Sequence, residues 1–431
     1  MYAIVDCDNC YVSCERVFRP DLKDKPVVVL SNNDGCVVAR SNEAKMMGIK
    51  AGTPFFQIQQ MFPVNEISVF SSNYELYGEL TARVMDIIRQ EAPDYFRYSI
   101  DECFVSLNTL SGIDYKKWGE NLHKRILKSV GMPVSIGVAA NKTLAKIASH
   151  FAKKYKGYYH CCVIDNDKKR RKALKLFNIE DVWGIGRRYA AKMKSMNITT
   201  AYDFARLPQE WVIATFRNVV ILRTWKELNG HDAVPNEEIT IKKSICTSRS
   251  FAHMTNNLEN LKTQVANFAV KCAEKLRIQK SAASIVAVFL TTNPFLDAQS
   301  QYSNFMERNL ITPSNSDTII VKTANDILTN MFKPGYYYKK AGVIVMGIQP
   351  QLPLQQDLFD LNSIKLQQLM KLDKVIDKIN KSNGSETVVL AAQQYSSKNG
   401  NGKAEVFANI IKHDYRSKNP TTRWSDIIKL K

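Results

Sequence analysis

Three acidic residues stand beside apolar stretches of the sequence, in positions suited to binding metal ions. Asp6 follows the apolar run 3–5. Asp101 and Glu102 interrupt the strand-like stretch 98–107. Carboxylates next to buried strands are unfavourable unless they are paired or bind a cation, and Mg²⁺ prefers such hard oxygen ligands. Two Mg²⁺ ions about 4 Å apart would activate an attacking hydroxyl and hold a leaving pyrophosphate. The spacing equally fits a solvated strand end and a solvated hairpin turn, so this alternative stays open.

The first 165 residues alternate between strand-like and helix-like segments, which would position these acids. Asp34-Gly35 is a typical hairpin signal between two apolar runs, and Ser41 and Asn141 are suited to begin helices. The pattern predicts an α+β domain in which helices cover a sheet. The predicted strands are 3–5, 26–30, 36–39, 98–107 and 133–139. The predicted helices are a short one that begins at Ser41 and ends at Gly48, followed by 75–91, 115–129 and 142–154.

The rest of the chain predicts further domains, as its length of 431 residues also does. The basic run 168–172 marks a boundary near residue 165, and residues 170–235 have a helical pattern. After residue 350 the chain is rich in Gln, Ser, Asn and Lys, and SSKNGNG (396–402) predicts a loop or disorder. Between these regions we predict strands at 284–292 and 341–348 and helices at 257–278 and 318–332.

The charge of the chain indicates a polyanionic partner. Lys and Arg number 60 against 41 Asp and Glu, which gives a formal net charge of +19. Such an excess favours nucleic acid ahead of a membrane surface, although a solubilising surface would also account for it. No apolar run approaches the roughly 20 residues of a membrane span, and the first residues do not resemble a secretory signal. We therefore predict a cytoplasmic protein without membrane contact.

The nine cysteines are best interpreted as reduced thiols. Cys7, Cys10 and Cys14 form a cluster that superficially resembles a thiolate metal site. No histidine lies near them in the sequence, and the remaining cysteines have no regular ligand spacing. A zinc or iron–sulfur protein is thus an alternative that metal analysis can test.

Six ordered segments resemble the Y-family, or lesion-bypass, DNA polymerases, most closely the UmuC type of bacterial SOS mutagenesis. The resemblance extends over nearly the whole chain, to TTRWSDIIKLK (421–431). Its segments are VDCDNCYVSCE (5–15), PVVVLSNNDGCVVARSNEAKMMGIKAG (26–52), SSNYELYGELTARV (71–84), YSIDECFVSL (98–107), SIGVAANKTLAKIASHFAKK (135–154) and DVWGIGRR (181–188).

The resemblance implies a multidomain α/β (α+β) fold with the right-hand architecture of a polymerase. The implied domains are a catalytic palm with a ferredoxin-like sheet (1–10 and 75–166), small fingers (11–74), a helical thumb with a helix–hairpin–helix (167–235), an α+β little finger that binds DNA (240–350) and a C-terminal tail (351–431). It also implies a low-fidelity translesion DNA polymerase that acts in SOS mutagenesis and DNA repair. The alternative is a DNA-binding scaffold of the same fold with weak or lost catalysis.

The same resemblance assigns roles to the acids and to a tyrosine. Asp6, Asp101 and Glu102 are implied to be the catalytic residues that bind two Mg²⁺ ions, with the backbone carbonyl of Cys7 as a further ligand. Tyr11 occupies the position of the steric gate. A ring packed under the sugar leaves no room for a 2′-hydroxyl, so deoxynucleotides are favoured.

Further residues are implied to contact the nucleotide triphosphate. Lys45 and Lys153 match family positions that bind the phosphates, and Asn42 lies beside Lys45 on the same predicted helix. Lys45 stands where several relatives have Arg, so a point charge replaces a bidentate fork. Asn42 stands where several relatives have Tyr, which removes one hydroxyl donor. A solvated helix face is the alternative for each lysine.

Two short motifs are implied to bind DNA and a sliding clamp. Gly184 and Gly186, followed by Arg187 and Arg188, resemble a helix–hairpin–helix whose backbone N–H groups bind phosphate without reading bases. A dinucleotide-binding loop is disfavoured because the third glycine is missing. The stretch QQDLF (355–359) resembles a clamp-binding peptide, in which the contacting residues would be Gln355, Leu358 and Phe359. The implied partners are primer–template DNA, a deoxynucleoside triphosphate, the sliding clamp, a UmuD-like dimer and a recombinase filament.

Overall fold

The computed structural model describes residues 1–427, apart from the short stretches 64–65, 93, 110–111, 237–240, 297–299, 352–362, 385, 395, 399–403 and 407–412. Contacts divide the chain into two units. The first unit joins Met1–Glu237 to Lys412–Lys431, and the second is Glu238–Ile411. The tail predicted as 351–431 is therefore divided between the two units. In the described ranges, no helix is long and apolar enough to cross a membrane.

The first unit contains eight strands and eleven α-helices within its described residues. Its strands are β1 (Tyr2–Cys7), β2 (Val27–Leu30), β3 (Val37–Arg40), β4 (Ser68–Ser71), β5 (Tyr95–Arg97), β6 (Glu102–Ser106), β7 (Val134–Ala139) and β8 (Cys161–Ile164). Its helices are α1 (Cys10–Phe18), α2 (Asn42–Met46), α3 (Phe55–Met61), α4 (Tyr74–Glu91), α5 (Tyr115–Val130), α6 (Lys142–Lys154), α7 (Asp167–Lys175), α8 (Arg187–Ser195), α9 (Ala201–Ala205), α10 (Gln209–Phe216) and α11 (Val219–Leu228).

A five-stranded sheet with the order β5-β6-β1-β7-β8 forms the centre of this unit. Strand β1 is antiparallel to both of its neighbours, β6 and β7. Successive side chains of a strand point to opposite faces, and here Ala3 and Val5 join one buried core whereas Ile4 joins another. Both faces of the sheet are thus covered, as the α+β pattern predicted.

Helix α6 packs very closely on strand β7 because position 137 is glycine. A Cβ atom at Gly137 would lie 2.1 Å from the carbonyl oxygen of Ala145 and 2.2 Å from the backbone nitrogen of Ser149. The predicted cap is confirmed, since the side chain of Asn141 accepts a hydrogen bond from the backbone N–H of Leu144 at 3.0 Å. These contacts fix the helix that carries Lys146 and Lys153.

A small sheet with the order β3-β2-β4 follows the first helix of the chain. Strands β2 and β3 are antiparallel, which confirms the hairpin predicted around Asp34-Gly35. The predicted cap of α2 is also confirmed, since the Ser41 hydroxyl accepts from the backbone N–H of Ala44 at 3.2 Å. Strand β2 pairs in parallel with β4 on its other side.

The prediction of a strand over residues 98–107 is partly wrong. Only Glu102–Ser106 is a strand there, and the hydroxyl of Ser99 stabilises a turn by accepting hydrogen bonds from the backbone N–H groups of Asp101 and Glu102 at 3.1 and 3.0 Å. Asp101 therefore lies in the turn, immediately before the strand that begins at Glu102.

The second unit contains a four-stranded antiparallel sheet with the order β11-β10-β12-β9. The strands and helices predicted between 257 and 348 are confirmed, but β9, β11 and α14 were not predicted. Residues 396–398, predicted as loop or disorder, form a short strand pair with 404–406. The strands are β9 (Ser244–Thr255), β10 (Ser281–Thr292), β11 (Ser303–Ser314), β12 (Tyr338–Pro350), β13 (Ser396–Lys398) and β14 (Ala404–Val406), and the helices are α12 (Leu258–Ile278), α13 (Asp317–Met331) and α14 (Ser363–Asn383).

Candidate active site

The three predicted acids lie together at one end of β1 and β6. Asp6 is directly opposite Glu102 in the antiparallel register of these strands. Asp101 adjoins them, because its carbonyl oxygen accepts a hydrogen bond from the backbone N–H of Cys7 at 3.0 Å. The side-chain carboxylate of Asp101 accepts a hydrogen bond from the hydroxyl of Ser99 at 2.5 Å. Strand pairing and the turn before β6 thus place three carboxylate residues at adjoining positions.

Two lysines of α6 form ion pairs with these acids. Lys153 lies 2.7 Å from the carboxylate of Asp6 and 3.6 Å from that of Asp8. Lys146 donates to both carboxylate oxygens of Glu102, at 2.9 and 3.0 Å. The spacing of seven residues, close to two helical turns, directs both side chains toward the same sheet end. Lys153 was among the predicted site residues, whereas Asp8 and Lys146 were not.

Aromatic rings hold the ammonium group of Lys146 in place. The Nζ atom lies 4.7 Å from the ring centroid of Tyr98 and 5.2 Å from that of Trp183. The two rings meet edge to face, and the indole N–H of Trp183 donates to the hydroxyl of Tyr98 at 3.3 Å. A cleft of about 310 Å³ is lined in part by Asp6, Glu102, Lys146 and Trp183.

Burial perturbs the ionisation of the site. It raises the pKa of Asp6 to about 6, in spite of the opposing effect of Lys153. Burial also opposes the charge of Lys153, but attraction to Asp6 and Asp8 outweighs it and raises the pKa of that lysine. A cation that binds here therefore competes with a proton on Asp6 and with the ammonium group of Lys153.

The donor set fits a hard divalent cation, because it consists of carboxylate oxygens on adjoining positions. Among the described residues, no three His, Cys, Asp or Glu side chains are arranged to hold a metal ion. In the structure, lysines engage Asp6 and Glu102, and a hydroxyl engages Asp101. Binding a cation would require these partners to release the carboxylates.

The clustered cysteines lie in the core beside this site. Cys7, Cys10 and Cys14 are all buried. Hydrogen bonding to Cys10, followed by burial, raises the pKa of the Cys7 thiol well above its ordinary value. Hydrogen bonding to Cys14 has the same effect on the pKa of the Cys10 thiol. These two neutral thiols are poor metal ligands, because thiolates bind metals.

Tyr11 lies in the first turn of α1, among other tyrosines. Its ring stacks on Tyr77 with a centroid distance of 4.7 Å and an interplanar angle of 13°. Tyr74 meets it edge to face at 5.7 Å. Burial raises the pKa of Tyr11 to about 12. Its orientation is therefore fixed by two residues in the first turn of α4.

A second cluster gathers polar and cationic groups of α2 and its neighbours. Lys45 donates to the side-chain oxygens of Asn9 at 2.6 Å and of Asn42 at 3.2 Å. Burial, together with the nearby charges of Arg40 and Lys153, lowers the pKa of Lys45. The Nε atom of Arg40 is buried and has no hydrogen-bond partner among the described residues. The structure thus brings Asn42, Lys45 and Lys153 into one electrostatic neighbourhood and adds Asn9 and Arg40, which sequence patterns did not indicate.

The predicted helix–hairpin–helix and the predicted clamp-binding peptide do not include any of the acids or lysines described above. Gly186 is the residue before α8, and Arg187 and Arg188 are exposed in its first turn. Gly184 has a φ of +91°, and a Cβ atom there would lie 2.4 Å from the Thr224 hydroxyl, so glycine is required. A three-residue 3-10 helix, rather than a full α-helix, ends just before this hairpin. The predicted clamp-binding residues Gln355, Leu358 and Phe359 lie outside the described residues.

Three family models match successive parts of the chain, and related proteins match most of its length. Residues 5–150 match the "impB/mucB/samB family" and residues 242–358 match the "impB/mucB/samB family C-terminal domain". Residues 370–430 match a "Domain of unknown function (DUF4113)". Protein UmuC of Salmonella typhimurium is 37% identical over 434 residues, which cover 100% of both chains. Protein MucB of Escherichia coli is 33% identical over 84% of this chain and 86% of its own.

Solved structures show the same fold. A "Y-family DNA polymerase chimera Dbh-Dpo4(243-245)-Dbh" matches with a TM-score of 0.64 at 21% identity, covering 81% of this chain and 100% of its own. The fold class is thus that of the Y-family polymerases, as predicted. The chain belongs to the impB/mucB/samB family and is a UmuC-like Y-family DNA polymerase. Divalent-metal dependence is a general property of such polymerases.

Proposed function

We propose that this chain is a low-fidelity translesion DNA polymerase that extends a primer on damaged templates during SOS mutagenesis and DNA repair. Membership of the impB/mucB/samB family supports this activity. The observation that carries the site assignment is the convergence of Asp6, Asp101 and Glu102 at the adjoining ends of β1 and β6, where lysines of α6 pair with Asp6 and Glu102. We assign the enzyme to the cytoplasm.

In the reaction, the primer 3′-hydroxyl loses its proton, its oxygen forms a bond to the α-phosphorus, and the bond to pyrophosphate breaks. Asp6, Asp101, Glu102 and the carbonyl of Cys7 would hold two Mg²⁺ ions. When bound, these ions lower the pKa of the hydroxyl and stabilise the leaving pyrophosphate. Lys153 is the ion-pair partner of Asp6 and becomes available to the triphosphate when that carboxylate binds a cation.

Binding of the nucleotide would use the groups around α2. Lys45 and Arg40 supply positive charge for the triphosphate, and Asn9 and Asn42 hold the ammonium group of Lys45 in position. Charge-assisted contacts of this kind stabilise charge that develops in the transition state. Tyr11 selects deoxyribose, because its stacked ring occupies the space that a 2′-hydroxyl requires.

DNA and partner contacts complete the proposal. Arg187, Arg188 and the hairpin backbone at Gly184 and Gly186 would bind template or primer phosphates, and the net charge of +19 supports a strongly electrostatic interaction. Residues 355–359 would dock on the sliding clamp. A UmuD-like dimer and a recombinase filament are the further partners that we expect.

Primer extension on an undamaged and an abasic template tests the proposal. The wild-type chain should extend both primers in Mg²⁺, and Asp101→Ala/Glu102→Ala should extend neither. Asp165→Ala/Glu180→Ala is the matched control, because it removes two exposed acids of the same unit that pair with Lys169 and Lys194. Absence of extension by the wild type, even with the clamp and the expected partners added, would support the scaffold alternative.

A further inference from the structure

The C-terminal segment 413–427 belongs to the first unit and packs on its N-terminal part, far in sequence from the residues that it contacts. The backbone N–H of Tyr415 donates to the Ser71 hydroxyl at 3.0 Å, and the N–H of Ser71 donates to the carbonyl of Tyr415 at 3.1 Å. These bonds fasten the segment to the end of β4, immediately before α4. The family model that covers this region describes a domain of unknown function.

The segment surrounds the beginning of α4 with hydrogen bonds. Asn73, the capping residue of α4, is fully buried and donates to the side-chain oxygen of Asn419 at 2.5 Å and to the Ser417 hydroxyl at 3.1 Å. Glu75 accepts side-chain bonds from four residues of the segment, namely Arg416, Asn419, Thr422 and Arg423. The first turn of α4 is therefore held from outside by the C-terminal segment.

A buried carboxyl links the segment to the tyrosine that we assign to sugar selection. Glu15 is 1% exposed. Its Oε1 atom accepts from the Ser417 hydroxyl at 3.0 Å and from the Tyr77 hydroxyl at 2.6 Å. Tyr77 in turn stacks on Tyr11. Burial raises the pKa of Glu15, and the hydrogen bonds from Tyr77 and Ser417 oppose that rise.

We infer that segment 413–427 is a structural part of the nucleotide site and that Ser417 is a positioning residue for Tyr11, acting through Glu15 and Tyr77. This inference rests on the proposed role of Tyr11. A buried carboxyl that loses one of its donors must shift or recruit another group. Either change releases the Tyr77 hydroxyl from its position and loosens the ring on which Tyr11 stacks. A loosened Tyr11 leaves room for a 2′-hydroxyl.

The test measures kcat/KM for a deoxynucleotide and for the matching ribonucleotide in the full-length chain. Ser417→Ala and Tyr77→Phe should each lower the ratio of the two values by about three- to tenfold, the effect of one hydrogen bond. The double variant should lower the ratio no further than the stronger single variant, since both act on the same oxygen of Glu15. Ser417→Thr, which keeps a hydroxyl, should restore the ratio.

Ser425→Ala is the matched control, because Ser425 is exposed in the same segment and its hydroxyl donates to the neighbouring Asp426 at 3.3 Å. A purely structural role of Ser417 would lower both kcat/KM values equally and leave their ratio unchanged, which would overturn the inference. Tyr11→Ala tests separately whether Tyr11 itself selects the sugar. If Tyr11→Ala lowers the ratio and Ser417→Ala does not, the inference fails alone. If Tyr11→Ala leaves the ratio unchanged, the assigned role of Tyr11 fails with it.

Discussion

Replacing Gly137 by Ala should displace helix α6, which carries Lys146 and Lys153. The added Cβ atom would lie 2.1 Å from the carbonyl oxygen of Ala145, whereas ordinary contacts begin at 3.4 Å, so the gap is 1.3 Å too small. The obstructing atoms belong to the backbone of α6 and cannot rotate away. Overpacking of this kind costs about 1–3 kcal/mol, which corresponds to a decrease in Tm of roughly 2–12 °C for a unit of this size.

The same displacement should reduce catalysis, because Lys146 and Lys153 lie on the displaced helix. A misplacement of about 1 Å can lower a rate by up to about 100-fold. Thermal unfolding and single-nucleotide incorporation measure the two effects. Gly157→Ala is the matched control, since a Cβ atom there meets nothing within 4 Å. A Gly137→Ala protein with the Tm and the incorporation rate of this control would refute the argument that close packing on β7 positions α6.

Two further predictions concern the nucleotide and the metal. Lys45→Ala should raise KM for the incoming deoxynucleotide by about tenfold, because one charge-assisted contact is lost. Lys45→Arg should largely retain nucleotide binding. Equal KM values for the wild type and both variants in steady-state kinetics would contradict this role of Lys45. Because burial raises the pKa of Asp6 to about 6, this acid is protonated below that pH, and a proton must leave before Mg²⁺ binds. Mg²⁺ affinity should therefore fall as pH decreases from 7 to 5, by up to about tenfold per unit, and an affinity independent of pH in Mg²⁺ titrations would argue against Asp6 as a ligand.

Local sequence patterns predicted the strand that carries Asp6 and the helix that carries Lys146 and Lys153. The short apolar run before Asp6 indicated a buried strand, and Asn141 indicated the beginning of a helix; the structure confirms both. The ion pair of Lys146 with Glu102 was not predicted, because nothing in the sequence brings residues 44 positions apart together. It follows only from the packing of α6 on the sheet.

Elements with polar sequences were missed. Strand β11 is exposed or partly exposed along nearly all of its length, so apolar alternation does not mark it. Helix α14 lies in a stretch rich in polar residues, yet Asp377 of this helix accepts from the buried guanidinium of Arg277 at 2.6 Å. The contact between Ser417 and Glu15 joins residues 402 positions apart, which no local pattern could indicate.

We propose that the carboxylates of Asp6, Asp101 and Glu102, at the adjoining ends of β1 and β6, hold the catalytic metal ions. The most direct test is the single-turnover rate of nucleotide incorporation by Asp101→Asn, measured with saturating Mg²⁺ and primer–template, together with the Kd for DNA. We expect the rate to fall by at least about 100-fold, the scale of losing one electrostatic group at a reacting centre, while DNA affinity stays unchanged. A rate close to that of the wild type would contradict the assignment of this site.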